Sequence, residues 1–304
     1  MTPHTCVIYN PAAGRGRAVW AVRRMRRQLT EVEFRSTTGP GQAVELARAA
    51  ASDGFARVVA AGGDGTAHEV ANGLLTSGRP DVVFAAWPAG SMNDYAFACG
   101  LTGWWAHGRR DPLAVIAADV LRVTTGGVER FAVNNVGVGF NGLVTVEARR
   151  LTRLRGHALY ATAFMIAAAR RYATPTADTD LDGVRTSGPL LALSVSVGQR
   201  EGGFPLFRAA RLDDGRADTL RIGAVRRHEL FRHLPGLLVG RLPVGHPELT
   251  PDVCQTARVR SVVGLCVHTD GEVIRQPGGG PTDVTVKLLT ARLRVEVCPA
   301  HQWR

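Results

Sequence analysis

Four strand-like runs, TCVIYN, VEFRST, ARVVAAG and DVVFAAW, follow one another before residue 90, and a stretch with helical spacing separates each from the next. The first spacer opens on the glycine-punctuated turn PAAGRGR and continues into a helix with Ala18, Val22, Met25 and Leu29 on one face. Arg23, Arg24, Arg26 and Arg27 lie mostly elsewhere on that helix, as a solvated face or as one attracted to a membrane. The second spacer is GQAVELARAAA and the third TAHEVANGLL, where Val70, Leu74 and Leu75 keep the helical period. Such an alternation leads to a parallel sheet layered by helices, with right-handed crossovers.

The third junction, VVAAGGDGT at 58–66, also points to chemistry. Arg57 to Ala61 is short and apolar in its interior, as a strand buried on both faces requires. Gly62, Gly63, Asp64, Gly65 and Thr66 therefore sit between a strand's carboxyl end and a helix's amino end, where open α/β sheets collect ligands and backbone N–H groups favour anions. Glycines at 62, 63 and 65 leave no Cβ in the way of a phosphate. Thr66 and Glu69 have the spacing of a capping box. The carboxylate of Asp64 would repel phosphates unless a divalent cation lay between, and Mg²⁺ held by carboxylates and substrate phosphates is the usual arrangement. An ordinary Gly-Asp turn is the alternative, and the cluster alone does not decide.

From about residue 121 the strands shorten and alternate, with Asp-Gly turns at 182–183, 214–215 and 270–271. One helix, about Gly156 to Tyr172, and another over His228 to Leu238 interrupt this half. A mainly antiparallel second domain is expected. The closing run VTVKLLTARLRVEV either finishes it or returns to the first domain.

At 304 residues with 45% hydrophobic side chains, the chain has core enough for two domains. Its formal charge of +11 attracts polyanions, but the charge is almost all arginine, with Lys287 the only lysine, and no nucleic-acid-binding motif accompanies it. Nucleic acid is therefore not expected as a partner, whereas peripheral contact with an anionic membrane stays open. Cys6, Cys99, Cys254, Cys266 and Cys298 contain no C-x-x-C pair and read as buried free thiols of a cytoplasmic protein. The start lacks the layout of a signal peptide, and the longest apolar helical stretch, Ala158 to Ala169, is too short to span a bilayer. A homodimer is left open.

Three segments, NPAAGRGRA at 10–18, GGDGTAHEVANGL at 62–74 and PAGSMNDYAFACGL at 88–101, together resemble the bacterial diacylglycerol kinase and sphingosine kinase-like lipid kinases. The nucleotide-binding half of that family carries N-P-x-[SA]-G-[KR], G-G-D-G-T-x-x-E-x-x-N-G and P-x-G-[TS]-x-N-D. The resemblance continues through NNVGVGFNG, EGGFPLFRAARLDDG, LPGLLVGRL and HTDGEVI, in family order over nearly the whole chain. It implies an α/β-plus-β fold of two domains. Residues 1–121 would form the parallel α/β nucleotide-binding domain, rejoined by about 286–304, and 122–285 a β-sandwich domain for the acceptor, with ATP in the cleft between them.

The implied activity is ATP-dependent phosphorylation of a hydroxyl on a lipid alcohol, diacylglycerol-like or sphingoid. On the same footing Asn10, Pro11, Gly14 and Arg15 form the first turn near the nucleotide, and Thr37 reaches it from the second strand's end. Gly62, Gly63, Gly65, Thr66 and Glu69 cradle the phosphates, and Gly90, Ser91 and Asn93 complete the pocket. Asp64 and Asp94 would organise Mg²⁺ and its waters, with the general base drawn from Asp270 and Glu272. A second, structural cation would rest on Asp214 and the main-chain oxygens of Arg211 and Arg216.

Several positions leave the family pattern: Gln42, Phe97, Gly198, Arg208, and Asn141 in place of the aspartate of G-F-D. The nucleotide side is better kept than the acceptor side, so the acceptor stays open between a lipid alcohol and a smaller hydroxyl compound. Rival readings fare worse. A P-loop or a protein kinase needs a phosphate-binding lysine in a context that Lys287 lacks, and no G-x-G-x-x-G follows the first strand. NAD kinases share G-G-D-G but match Asn93-Asp94 poorly, and a degenerate binding module would not be expected to keep Asp64, Asp94, Asp270 and Glu272.

Overall fold

The computed structural model describes residues 5–26, 31–108, 110–151, 153–243 and 245–302. The chain divides into two units, Met1–Val120 with Thr290–Arg304, and Leu121–Leu289.

Unit 1 runs β1 (Thr5–Tyr9), α1 (Arg17–Arg26), β2 (Val32–Ser36), α2 (Gln42–Ser52), β3 (Arg57–Gly62), α3 (Asp64–Leu75), β4 (Val83–Pro88), α4 (Asp94–Ala98) and α5 (Leu101–Ala106). The strands pair in the order β2-β1-β3-β4, all parallel, as the alternation predicted. Their register matters for function: Tyr9 lies beside Ser36 and Ala61, and Ala61 beside Trp87. The carboxyl ends are thereby level, and the turns beginning at Asn10, Thr37, Gly63 and Ala89 leave from one edge of the sheet. Val7, Val59, Ala61, Ala85 and Trp87 form a core cluster of this sheet. Helices α2 and α3 approach closely because their contact is made of small residues. A Cβ on Gly73 would stand 2.4 Å from the Val44 carbonyl oxygen. On α1, Ala18 and Val22 are buried as expected; Arg27 and Leu29 lie outside the described residues, as do the side chains of Arg24 and Met25.

In Unit 2, β5 (Ala114–Thr125), which enters from Unit 1, pairs with β6 (Val128–Ala132). There follow β7 (Asn135–Gly139), α6 (Phe140–Arg150), α7 (Gly156–Arg170), β8 (Thr176–Leu181), β9 (Val184–Pro189), β10 (Ala192–Ser196), β11 (Ala217–Ile222), α8 (Arg227–Leu238), β12 (Leu249–Cys254), β13 (Thr256–Ser261), β14 (Val267–Thr269) and β15 (Glu272–Arg275). The last strand, β16 (Thr282–Val297), contributes to both units. Six strands form an antiparallel sheet in the order β12-β11-β10-β7-β14-β15, and β9, β8, β13 and the first part of β16 form another antiparallel run. The expected α/β-plus-β class is the one found.

Two local expectations need correction. The strand-rich reading of the second half passed over α6, whose interior Val144, Thr145 and Val146 are β-branched. Burial overrides that propensity: Phe140, Val144 and Ala148 fall four apart and pack in one cluster with Phe164 of α7 and Leu230 of α8. The capping box of Thr66 and Glu69 is absent, because α3 begins three residues earlier with Gly63 as N-cap. The Glu69 carboxylate instead accepts the N–H groups of Gly41 (2.9 Å) and Ala43 (3.1 Å) at the start of α2.

Candidate active site

At the level edge of the Unit 1 sheet, two glycine-bearing turns touch. A Cβ on Gly90 would lie 2.2 Å from the Gly63 Cα, and 2.9 Å from the Asn93 Oδ1, far inside any real contact. Gly62 is equally constrained by its own helix, with a would-be Cβ 2.4 Å from Thr66 Oγ1. Gly65 differs: it is exposed and a Cβ there would meet nothing within 4 Å. Gly63 and Gly90 let backbones close on one another, Gly62 makes room for the Thr66 side chain, and Gly65 leaves open space at the amino end of α3, where helix N–H groups point outward.

The turn 90–95 is held from both sides. Asn93 adopts left-handed backbone (φ 57°), its Oδ1 accepts the Gly90 N–H at 2.8 Å, and its Nδ2 donates to the Gly90 carbonyl at 3.3 Å. The carboxylate of Asp64 accepts the N–H of Asn93 (2.9 Å) on one oxygen and that of Tyr95 (3.2 Å) on the other. Asp64 therefore ties the phosphate-side loop to the start of α4, and its charge meets backbone dipoles there. Asp94, one residue along the same turn, is buried at 5% exposure.

The remaining Unit 1 candidates cluster on the same edge. Asn10 Oδ1 accepts the Ala12 N–H at 2.9 Å, which shapes the first turn, and Gly14 (φ 59°) carries it round. Pro11 and Arg15 lie on that turn, the Arg15 side chain outside the described residues. Thr37 is buried and donates its N–H to the Tyr9 carbonyl, so it sits beside Asn10. Ser91 is exposed, whereas Thr66 is buried.

In Unit 2 the D-G-E element forms the tight hairpin turn between β14 and β15, with Asp270 (φ 48°) and Gly271 (φ 82°) both left-handed. The two carboxylates then part company. Asp270 Oδ1 accepts the N–H groups of Asn134 and Asn135, and Oδ2 that of Val133, all at 2.9 Å. Three of its roughly four acceptor positions are spent on backbone, which makes it a clasp on the 133–135 segment. Glu272, at the start of β15, is half-buried.

Beneath that turn lies a group that sequence reasoning missed. Register places Gly137, Ser194 and His268 side by side on one face of the antiparallel sheet. His268 Nδ1 accepts the Gly271 N–H (3.3 Å), which fixes the tautomer with the proton on Nε2, facing Glu201 Oε1 at 3.2 Å. Asn141 Nδ2 donates to the same Glu201 oxygen (3.0 Å) and to Ser194 Oγ (3.0 Å). Glu201 Oε2 is buried with no hydrogen-bond partner. Gly137 makes the room, for its Cβ would be 2.2 Å from His268 Nε2 and 2.4 Å from Asn141 Nδ2. Glu201 and His268 are 67 positions apart, so nothing local in the sequence joins them. Only the departure at Asn141 was a signal.

The Asp214 turn gains a partner as well. Asp214 Oδ1 accepts the Arg216 N–H at 3.2 Å, and Asp218 on β11 has its carboxyl pushed up to about 6. Burial is the main cause, the Asp214 carboxylate adds to it, and Arg216 opposes. A carboxylate whose neighbour holds its proton on suits a divalent cation between the two. Asp214, Asp218 and the carbonyls of Arg211 and Arg216 would hold it, and the ion would neutralise the pair. Raised above its unfolded value of 3.8, Asp218 adds stability that is complete below about pH 4 and is lost as pH rises through about 6. Thermal melts are expected to show Ca²⁺ or Mg²⁺ stabilising the protein above that range and not near pH 4. Asp218→Asn removes the pH dependence and weakens the cation effect; an unchanged slope in the variant counts against Asp218.

The fold defines a class: a unit built on a parallel α/β sheet and a unit built on antiparallel strands. The family comparison makes it specific. Residues 4–126 match the diacylglycerol kinase catalytic domain, and residues 134–296 match the YegS C-terminal NAD kinase beta sandwich-like domain. The chain is 32% identical over 227 residues to a "Probable lipid kinase YegS-like" of Pseudomonas aeruginosa, covering 70% of each. It is 27% identical to a diacylglycerol kinase of Bacillus subtilis, over 74% of this chain and 76% of that one. A crystal structure of a diacylglycerol kinase from Bacillus anthracis shares the fold, with a TM-score of 0.69 over 99% of both chains at 17% identity. The chain belongs to the YegS-like lipid kinase and diacylglycerol kinase family, and it is an ATP-dependent phosphotransferase. Among its described residues, no helix is long and apolar enough to cross a membrane.

Proposed function

We propose that the chain phosphorylates the hydroxyl of a lipid alcohol, with ATP on the Gly63–Gly90 edge of Unit 1 and the acceptor on Unit 2. The observation that carries the nucleotide side is the contact of two glycine turns beside Asp64 and Asp94, at the amino end of a twelve-residue helix. Backbone N–H groups at the amino end of α3 cradle the phosphates, with the 90–93 turn walling them in, and Asn10 and Thr37 border the nucleotide. Asp64 and Asp94 would hold magnesium, which would supply neutralisation of the triphosphate's charge. Glu272 takes the proton from the acceptor hydroxyl, Asp270 holds the 133–135 segment, and His268 fixes the turn between them. A peripheral encounter with anionic membrane, aided by exposed Arg23 and Arg26, brings the lipid to the enzyme.

A second reading has its own support. The sheet face under the D-G-E turn is polar and buried, with Asn135 at 3%, Ser194 at 4%, Ser196 at 0% and His268 at 2% exposure. Such a face suits an acceptor richer in hydroxyl or amide groups than diacylglycerol. Incubating the full chain with γ-labelled ATP, Mg²⁺ and mixed micelles of diacylglycerol or sphingosine, beside water-soluble alcohols and NAD, separates the two. Label in the organic phase is the expected result. Label confined to a water-soluble product overturns the lipid reading and leaves the kinase, and no labelled product from any acceptor counts against both.

A further inference from the structure

We propose that Asp111, Cys298 and His301 form a binding site for a zinc-class divalent cation at the carboxyl-terminal end of Unit 1. Their ligand atoms, a carboxylate oxygen, a thiol sulfur and an imidazole nitrogen, all lie within 4.8 Å of one another. That mixture of S, N and O donors is the one Zn²⁺ takes, and it is unlike the all-oxygen set of the phosphate-side carboxylates. Cys298 and His301 are three apart on one turn, and Asp111 comes to them from the loop after α5.

The arrangement is fixed by backbone. The Cys298 N–H donates to the Cys99 carbonyl at 2.8 Å, and the Cys298 carbonyl accepts from His301 (3.0 Å) and Gln302 (3.2 Å). Two glycines of the facing segment admit this turn. A Cβ on Gly100 would be 2.4 Å from the Cys298 carbonyl oxygen, and one on Gly103 would be 2.9 Å from the His301 Cβ. The His301 ring is further stacked on His107, with centroids 4.8 Å apart.

A His–Asp hydrogen bond anchoring the chain end would explain two of the three residues, since His301 Nε2 and Asp111 Oδ2 are 2.7 Å apart. It does not explain a fully buried thiol at the same point, which faces the Pro112 carbonyl at 3.9 Å and the backbone N–H groups of Ala300 and His301. Tetrahedral zinc sets its ligand atoms about 3.3 to 3.7 Å apart, as follows from metal–ligand distances of about 2.0 to 2.3 Å. The N···O pair therefore opens by roughly half an ångström and the sulfur closes in, both within side-chain reach. Binding displaces the proton shared by His301 and Asp111 and the thiol proton of Cys298, and water fills the fourth position.

The test uses the purified full chain after treatment with a chelator, titrated with Co²⁺ and then Zn²⁺. One equivalent of Co²⁺ is expected to give a thiolate charge-transfer band and tetrahedral visible bands, which one equivalent of Zn²⁺ bleaches. Cys298→Ser abolishes the charge-transfer band, and His301→Gln and Asp111→Asn weaken Co²⁺ binding by at least the roughly 100-fold that loss of an outer-shell partner can cost. Asp111 is half-exposed, so Asp111→Asn keeps the readout if Cys298→Ser fails to fold. Absence of the band in the native chain, or its persistence in Cys298→Ser, overturns the site. Phosphotransfer from ATP plays no part in this readout, so the proposal stands or falls apart from the acceptor's identity.

Discussion

Gly90→Ala is expected to weaken ATP·Mg²⁺ binding by about tenfold or more, equivalent to roughly 1.4 kcal/mol, as read by calorimetry. The new Cβ would be 2.2 Å from Gly63 Cα and 3.0 Å from Gly63 N, both backbone atoms that cannot swing aside. The two turns must part, and Asn93 Oδ1, 2.9 Å from the same point, must let go of the Gly90 N–H. Overpacking of this kind also costs about 1 to 3 kcal/mol of stability. Gly65→Ala is the matching control. It sits in the first turn of α3, its Cβ meets nothing, and alanine should match or raise the melting temperature. If the phosphates come where Gly65 leaves room, this variant loses ATP affinity without loss of stability. Undiminished ATP binding in Gly90→Ala would remove the nucleotide from this edge.

Asp270→Asn and Glu272→Gln are expected to fail in different ways. The asparagine keeps one accepting oxygen but turns an NH₂ toward backbone N–H groups that the carboxylate now satisfies. A backbone donor left facing another donor costs about 1 to 3 kcal/mol. For a unit of this size each kcal/mol lowers the melting temperature by about 2 to 4 °C. Glu272→Gln should leave the melting temperature in place and lower kcat by about 100-fold or more, the usual worth of a general base. Equal kcat losses with no change in melting temperature for either variant would mean that the roles are not divided as the hydrogen bonds divide them.

The parallel half was legible because β1, β3 and β4 are short apolar runs closed by turn residues, and the interior burial of β3 and β4 follows that pattern. Helix α6 was not, since Val144, Thr145 and Val146 read as strand until the partners of Phe140 and Ala148 are known. Glu69 misled for a related reason. Its spacing from Thr66 is a local signal, but its carboxylate answers the unsatisfied N–H groups of another helix 26 and 28 positions back. The site followed the same rule. Gly62–Thr66 and Asn93-Asp94 announce themselves by spacing, whereas Glu201, His268 and Asp218 depend on sheet register and on burial, which no window of sequence contains.

The division of Unit 1 into Met1–Val120 and Thr290–Arg304 orders events on the ribosome. All of Leu121–Leu289 emerges while the parallel sheet still lacks the strand that pairs Val295 with Phe84 of β4. A nascent chain thus exposes an unpaired β4 edge through most of its synthesis, the kind of edge that recruits chaperones or wrong partners. The domain begun first is completed last, and its final strand is also the one that a stalled or truncated translation product would lack.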